Sequence, residues 1–272
     1  MPSKINKVRA YIRLKALRKD LAADSSNVQV IGDDYCWALI FYLLRSGLVK
    51  EAAQYVEENR VKFKSMDRHF EQYIASYAVA HDRRLPRELQ ARITSEYQQR
   101  LRTAPDNSID KYRMACYKII GRCDLARKSI EGVGASMDDW FWTIFSLARE
   151  VNRVDEVAGE TFGLEEVQHM VEDIGQRHFS SGGELNAGYA TFFLLQILSG
   201  SFEHAISYLY SHNYVAAVHF AIALNFYGLL RVSDFDVSES KLRKSSSSRV
   251  GLRLKLTSTF ISDLHYKTET SD

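Results

Sequence analysis

Thiols, imidazoles and paired carboxylates are the side chains here whose types could do chemistry. The thiols are Cys36, Cys116 and Cys123. A cysteine nucleophile needs its thiolate, hence access to solvent and a cationic or imidazole neighbour. Cys36 and Cys116 stand in apolar helical contexts, and no histidine is indicated beside Cys116 or Cys123. An odd number without CxxC spacing reads as reduced thiols of a cytosolic or nuclear protein. His204, His212 and His219 are eight and seven residues apart, without HxxxH or HExxH. Zinc ligands come in closer pairs, so these read as packing or solvated helix faces. Asp33-Asp34 and Asp138-Asp139 each precede an aromatic helix. Acid–base work needs two carboxylates meeting across a cleft. Carboxylates ahead of a helix more simply accept its free N–H groups and complement its dipole.

Glycine-containing segments IGRCD, FSSGGELN and LSGSFE match neither GxxxxGK[ST] nor GxGxxG, and no GxSxG elbow occurs. The first helix holds Lys4, Lys7, Arg9, Arg13, Lys15, Arg18 and Lys19. With only Tyr11 as an aromatic platform, it reads as a solvated charged face rather than a nucleic-acid or membrane surface. KLRKSSSSR near the end is too short a basic run to specify a localisation signal. The residues therefore assign no catalytic, cofactor-binding or metal-binding side chain and imply no cofactor.

The elements that would carry any site repeat. In DDYCWALIFYLLRSGLVKEAAQYVEEN an apolar helix stops at Ser46-Gly47, and an amphipathic one restarts with Ala52 and Tyr55. In FFLLQILSGSFEHAISYLY, Gly200 answers Gly47, Ala205 answers Ala52, Tyr208 answers Tyr55 and Leu209 answers Val56. YKIIGRCDLARKSI is a weaker third copy with Gly121, Ala126 and Ile130. Recurring helix–glycine–helix units bury their apolar faces by stacking. Gly47 and Gly200 are expected either in the left-handed conformation or in a close-contact position between paired helices.

Composition agrees. The 272 residues are 46% hydrophobic and 26% charged, a globular balance, and the formal charge of +2 gives no global pull toward nucleic acid or anionic lipid. Only Pro2, Pro86 and Pro105 interrupt the chain, so helix can follow helix after Pro105. No signal peptide opens the sequence, and no apolar run reaches the roughly 20 residues that span a bilayer. Periodicity predicts helices over 4–22, 34–46, 48–63, 65–82, Pro86 to about Thr103, and a segment capped by Ser108 and Asp110 through Ile120. A short element over Cys123–Ile130, a helix from Asp138-Asp139 and helices at 164–178, 189–199, 201–211 and 213–230 follow, with a loop at Phe179–Gly188. No alternating strands are expected before Arg231. Residues 1–232 are expected to form an α-helical solenoid segment, and the serine-rich, basic 233–272 a disordered tail.

Three phrases go beyond a generic helical repeat: WALIFYLLRSG, NSIDKYRMACYKIIGRCDL and AVHFAIALNFYGLLR. Trp37, Tyr42, Arg45 and Gly47 stand in the first, Tyr112, Tyr117, Gly121, Arg122 and Cys123 in the second, and His219, Ala221 and Gly228 in the third. On these phrases, from Asp33 to Asp234, the chain resembles the large linker nucleoporin of the nuclear pore inner ring. This is the nucleoporin-interacting-component family, and its filamentous-fungal members are the most similar. Lys111 departs from the fungal pattern, which tends to have proline there.

The resemblance implies an all-α, elongated stacked helical-pair solenoid of the ancestral coatomer type, with no enzymatic activity. It implies a structural scaffold of the nuclear pore complex at the nuclear envelope, serving nucleocytoplasmic transport of protein and RNA. Its partners would be other nucleoporins of the inner ring and channel, with no direct nucleic acid and no transmembrane segment. Family members are longer, so the chain is expected to be a truncated member whose tail is not the family's own sequence. The rival readings are a helical-pair adaptor of a vesicle coat and a thiol-dependent enzyme, the latter resting on Cys116 or Cys123.

Overall fold

The computed structural model describes residues 3–21, 28–103, 110–128, 130, 132–133, 136–150, 161–175, 177 and 188–230. Among the described residues there are twelve α-helices and one two-stranded ladder, so the fold is all-α. Packing divides the chain into two units, Met1–Gly163 and Leu164–Asp272. The expected tail at 233–272 lies outside the described residues, as do residues 179–187 of the expected loop.

The first unit is built around α2 (Cys36–Arg45), which follows α1 (Lys4–Leu17). Cys36 to Phe41, Leu43 and Leu44 are all buried, so α2 needs neighbours on every side. α1, α3 (Val49–Glu58) and α7 (Lys111–Gly121) supply them. The indole of Trp37 meets Phe63 and Phe70 edge-on at 5.6 and 4.6 Å, and Phe41 packs on Tyr112 and Trp142.

Between α1 and α2 lies a small antiparallel ladder that the sequence did not foretell. β1 (Val30–Ile31) pairs with β2 (Asp34–Tyr35) across a turn in which Gly32 takes φ +63°. Segment 48–63, expected as one helix, is two. Asn59 leaves helical geometry at φ −107°, donates from its amide to the Tyr55 carbonyl, and offers its own carbonyl to Lys62 and Phe63. It thus ends α3 and starts α4 (Arg60–Met66), a turn that seats Phe63 in the core.

α5 (Phe70–Val79) and α6 (Arg87–Thr103) complete the layer against α3 and α7. Pro86 stands just before α6, where its missing N–H costs nothing and its carbonyl accepts from Gln90. Asp110 caps α7 by accepting from the N–H groups of Tyr112 and Arg113. Ser108, also expected as a cap, lies outside the described residues. α8 (Met137–Leu147) starts at Ser136, whose hydroxyl accepts from Asp139 N and donates to Asp139 Oδ2.

In the second unit, α9 (Leu164–Ile174), α10 (Gly188–Leu198), α11 (Phe202–His212) and α12 (Tyr214–Phe226) pack in sequence. Gln168 on α9 donates to the Ser199 carbonyl at the end of α10. Gly175 lies against the Phe192 ring, so closely that no side chain fits there.

The first two copies of the repeat are one structure. Gly47 and Gly200 have φ +72° and +73°. Leu48 N donates to Leu43 O and Gly47 N to Leu44 O; Ser201 N donates to Gln196 O and Gly200 N to Ile197 O. This is the same paired closure of a helix C-terminus. Gly228, at φ +68°, repeats it after α12. The third copy is out of register. Gly121 is still helical, and a Cβ on it would sit 2.7 Å from Ile93 Cγ2 on α6, so glycine is there for close approach. The left-handed residue is Arg122, φ +47°, with Cys123 N closing onto Lys118 O. Its guanidinium donates to the carbonyls of Leu147 and Phe162, which offsets the roughly 1 kcal/mol cost of that backbone for a non-glycine residue. Among the described residues of Cys123–Ile130 no second helix follows.

Candidate functional site

The densest polar cluster among the described residues centres on Asp67, which the sequence did not single out. Asp67 ends α4 in an extended conformation and turns its carboxylate inward, with none of the side chain exposed. Its Oδ2 accepts from Arg113 at 2.8 Å, from Arg100 at 3.2 Å and from the Tyr117 hydroxyl at 2.5 Å. The same hydroxyl lies 3.0 Å from Glu96 Oε2, while Glu96 Oε1 accepts from the Tyr73 hydroxyl at 3.1 Å and bonds His69 Nδ1 at 2.7 Å. The guanidinium of Arg100 lies over the Tyr117 ring and that of Arg113 over Trp37.

Two carboxylates thus face two guanidiniums, the charge balance that a buried ion cluster requires. Burial, then the Asp67 carboxylate, pushes the Tyr117 phenol far above its ordinary value; burial, then Glu96, does the same to Tyr73. Both hydroxyls are held as donors. Asp67, buried, and Glu96, partly buried, form the kind of carboxylate pair that acid–base chemistry calls for, yet both are spent on arginine and phenol donors. The cluster does structural work: it fastens the end of α4 to α5, α6 and α7.

The expected candidates lie elsewhere and do not converge. Asp34 does not cap α2, whose N-cap residue Tyr35 makes no side-chain cap bond. It lies in β2 and takes Arg9 on both oxygens at 3.1 and 2.9 Å, tying α1 to the ladder. The ladder holds Asp34 in β2, paired with Ile31, where its carboxylate meets Arg9 of α1 instead of the first turn of α2. Asp139 does belong to the α8 cap and also holds Arg45 of α2 at 3.1 Å, the guanidinium lying over Trp142.

The three thiols are buried. Desolvation raises Cys36 and Cys123 to about 12 and Cys116 well above its ordinary value. Each is a neutral thiol at physiological pH, unsuited to attack. His212 and His219 donate from Nδ1 to the carbonyls of Tyr208 and Val215, each on its own helix. Among the described residues no group of three metal-ligating side chains converges. On α1, Arg9 is turned inward to Asp34 and Lys15 lies over the Tyr11 ring, while Lys4, Lys7 and Arg13 are exposed; Arg18 and Lys19, expected in the same helix, lie past its end, Lys19 at φ +57°. No described helix is long and apolar enough to cross a membrane.

Comparison with known proteins explains a chain rich in packing and poor in reactive groups. The family model described as Nup93/Nic96 matches residues 1–264. Nucleoporin NIC96 of Chaetomium thermophilum is 52% identical over 236 residues, covering 86% of this chain and 21% of that protein. Nucleoporin NIC96 of Saccharomyces cerevisiae is 37% identical, covering 82% and 25%. Nuclear pore complex protein Nup93 of Xenopus laevis is 29% identical, covering 69% and 22%. The crystal structure of Chaetomium thermophilum Nic96 SOL superposes with a TM-score of 0.81 at 52% identity, over 86% of this chain and 33% of that one. The chain spans about a fifth to a quarter of the length of these curated relatives. With the family model running through nearly all of its residues and a solved relative sharing its fold, the chain belongs to the Nup93/Nic96 family.

Proposed function

We propose that this chain is a scaffold segment of the nuclear pore complex, placed at the nuclear envelope and supporting transport of protein and RNA without catalysing a reaction. The observation that carries this is the 52% identity, with a TM-score of 0.81, to Nic96 SOL. A vesicle-coat adaptor with the same stacking logic would share architecture without sharing that identity. The side chains support the same reading. Asp67, Glu96, Arg100 and Arg113 are consumed by one another, and the thiols are buried and protonated. Residues 1–232 act as the solenoid segment, with 233–272 as a separate tail, and the partners are other nucleoporins.

Fluorescent tagging of the gene product in its own cells tests this. A punctate nuclear rim is the expected result, and Golgi or endosomal puncta would transfer the chain to the coat reading. Crosslinking of assembled pores should return peptides from 34–230 joined to other nucleoporins. For the enzymatic alternative, the decisive readout is alkylation at neutral pH. Cys36, Cys116 and Cys123 should react far more slowly in the folded chain than in denaturant, and a fast-reacting thiol would reopen it.

A further inference from the structure

The last turn of α6, Arg100-Leu101-Arg102-Thr103, joins the Asp67 clamp to the surface, and neither the fold nor the proposed function uses its hydroxyl. Thr103 is exposed, and its Oγ1 donates to the Gln99 carbonyl at 2.8 Å within the same helix. The last carbonyls of a helix lack partners four residues on, so this turn opens readily. Arg102, also exposed, precedes the hydroxyl directly, and Arg100 stands three residues before it. Arg100 is only half committed to the clamp. Its Nη2 donates to Asp67 Oδ2 at 3.2 Å, and its guanidinium lies 4.4 Å over the Tyr117 ring. Its Nη1 stands 3.6 Å from Glu96 Oε2 and, though buried, makes no hydrogen bond. A buried guanidinium N–H without an acceptor costs free energy that a nearby anion would recover. Residues three apart are neighbours on a helix, so an anion on Thr103 falls within reach of Arg100.

We propose that Thr103 is a phosphorylation site for a protein kinase that reads basic residues, and that its phosphate draws Arg100 away from Asp67. An acidic kinase cleft selects substrates by the cations ahead of the hydroxyl, and both arginines become available to it when the last turn of α6 opens. The γ-phosphoryl group of a nucleoside triphosphate passes to Thr103 Oγ1. The P–O bond to the diphosphate breaks, the P–Oγ1 bond forms, and the hydroxyl proton goes to the kinase's catalytic carboxylate. The product carries close to two negative charges and three acceptor oxygens at the negative end of the helix dipole, which holds the last turn open. Asp67 Oδ2 is shared by three donors, and Arg100, at 3.2 Å, is the longest of them. It is therefore the one that leaves. Arg113 and the Tyr117 hydroxyl stay on Asp67 at 2.8 and 2.5 Å, so α4 remains tied to α7 while its tie to α6 is released.

Residue-resolved mass spectrometry tests the site in two samples. One is the protein recovered from its own cells, and the other is the full 272-residue chain incubated with the catalytic subunit of cyclic-AMP-dependent protein kinase and magnesium–ATP. Phosphate on Thr103 is expected in both. Arg102→Gln, which lies outside the clamp, should slow incorporation at Thr103 at least about fivefold, the weight of one charge-assisted contact, and should leave helicity by circular dichroism unchanged. Hydrogen exchange tests the consequence at the end of α4, where Asp67 N donates to the Phe63 carbonyl. Amides of 63–70 should exchange at least about threefold faster in the phosphorylated chain than in the parent. Kinase-treated Thr103→Val, which keeps any phosphate placed elsewhere, should exchange like the parent. Absence of phosphate from Thr103 in either sample, equal incorporation in Arg102→Gln, or exchange over 63–70 that the phosphate leaves unchanged would each overturn the proposal. Faster exchange in treated Thr103→Val would overturn it too, because a different phosphate would then be the cause.

Discussion

Helices α2 and α12 are written in nearly the same alphabet and end up in opposite surroundings. Each is apolar around its whole circumference. α2 buries eight of its ten residues among α1, α3 and α7. α12 buries two of its thirteen, Ala217 and Leu224. An all-apolar helix asks for cover on every side, but its own residues do not say what provides it. The cover over α2 comes from segments far along the chain: Phe63, Tyr112 and Trp142 all reach it. The same composition is therefore a core in one unit and a surface in the other.

The sharpest way to break this comparison is to truncate the centre of α2. Trp37 is fully buried, its ring held by Phe63, Phe70 and the Arg113 guanidinium, and its Nε1 donates to Gln29 Oε1 at 2.6 Å. Trp37→Ala should cost about 3–5 kcal/mol in urea denaturation, as large-to-small core changes do. A cost below about 1 kcal/mol would mean that α2 is not the core.

Next in size is the polar clamp beside it. Asp67→Ala removes the acceptor shared by Arg100, Arg113 and Tyr117 and leaves two guanidiniums facing a void. Breaking a fully buried pair costs about 3–5 kcal/mol. Both arginines keep some access to water, 24% and 14% of their side chains, so about 2–3 kcal/mol is expected here. Tyr117→Phe should cost less, near 1 kcal/mol, because the arginines still neutralise Asp67. Equal losses from the two variants would place the hydroxyl, rather than the ion pairs, at the centre of the clamp.

Local signals made much of this structure legible, and long-range ones did not. Pro86 before α6, Asp110 on α7 and the Gly47 and Gly200 closures are each written within five residues, where backbone chemistry is decided. The split at Asn59 escaped because the apolar pattern runs across it unbroken and only a side-chain amide ends the helix. Gly121 misled because a glycine needed for close approach looks the same in sequence as one needed for a left-handed turn. The clamp was invisible because Asp67 lies 33 and 50 residues from Arg100 and Tyr117. In SMDRHFEQY it reads as an ordinary polar residue before a helix.

The closure glycines sharpen the comparison between units, since they share geometry but not surroundings. A Cβ on Gly47 would meet nothing within 4 Å, and on Gly200 only Gln168 Nε2 at 3.8 Å. Substitution therefore carries backbone strain alone, and Gly47→Ala and Gly200→Ala should each cost about 1–2 kcal/mol. Gly121→Ala acts differently: its Cβ drives into Ile93 and the Cys123 sulfur. If all three lose the same amount and thermal melting shows the same loss when Ile93 is first reduced to Ala, which removes both Cγ2 and Cδ1, the distinction between strain and crowding is wrong. Relief of Gly121→Ala alone by Ile93→Ala would establish it.

The smallest expected effect bears most directly on α12. Phe226 is the same side chain as the buried Phe41 of α2, yet it is 82% exposed, touching the Tyr227 ring edge-on at 5.3 Å. Stability follows the area a side chain removes from water, and Phe226 removes little. Phe226→Ala should therefore shift unfolding by no more than about 0.5 kcal/mol, the range of ordinary surface changes. Alanine's higher helix propensity works in the same direction, offsetting the small packing loss at the last helical residue. Urea denaturation of parent and variant is the measurement that checks this. A loss of about 2 kcal/mol or more would instead mean that this ring is covered within one chain, and α12 would then stand with α2 as core.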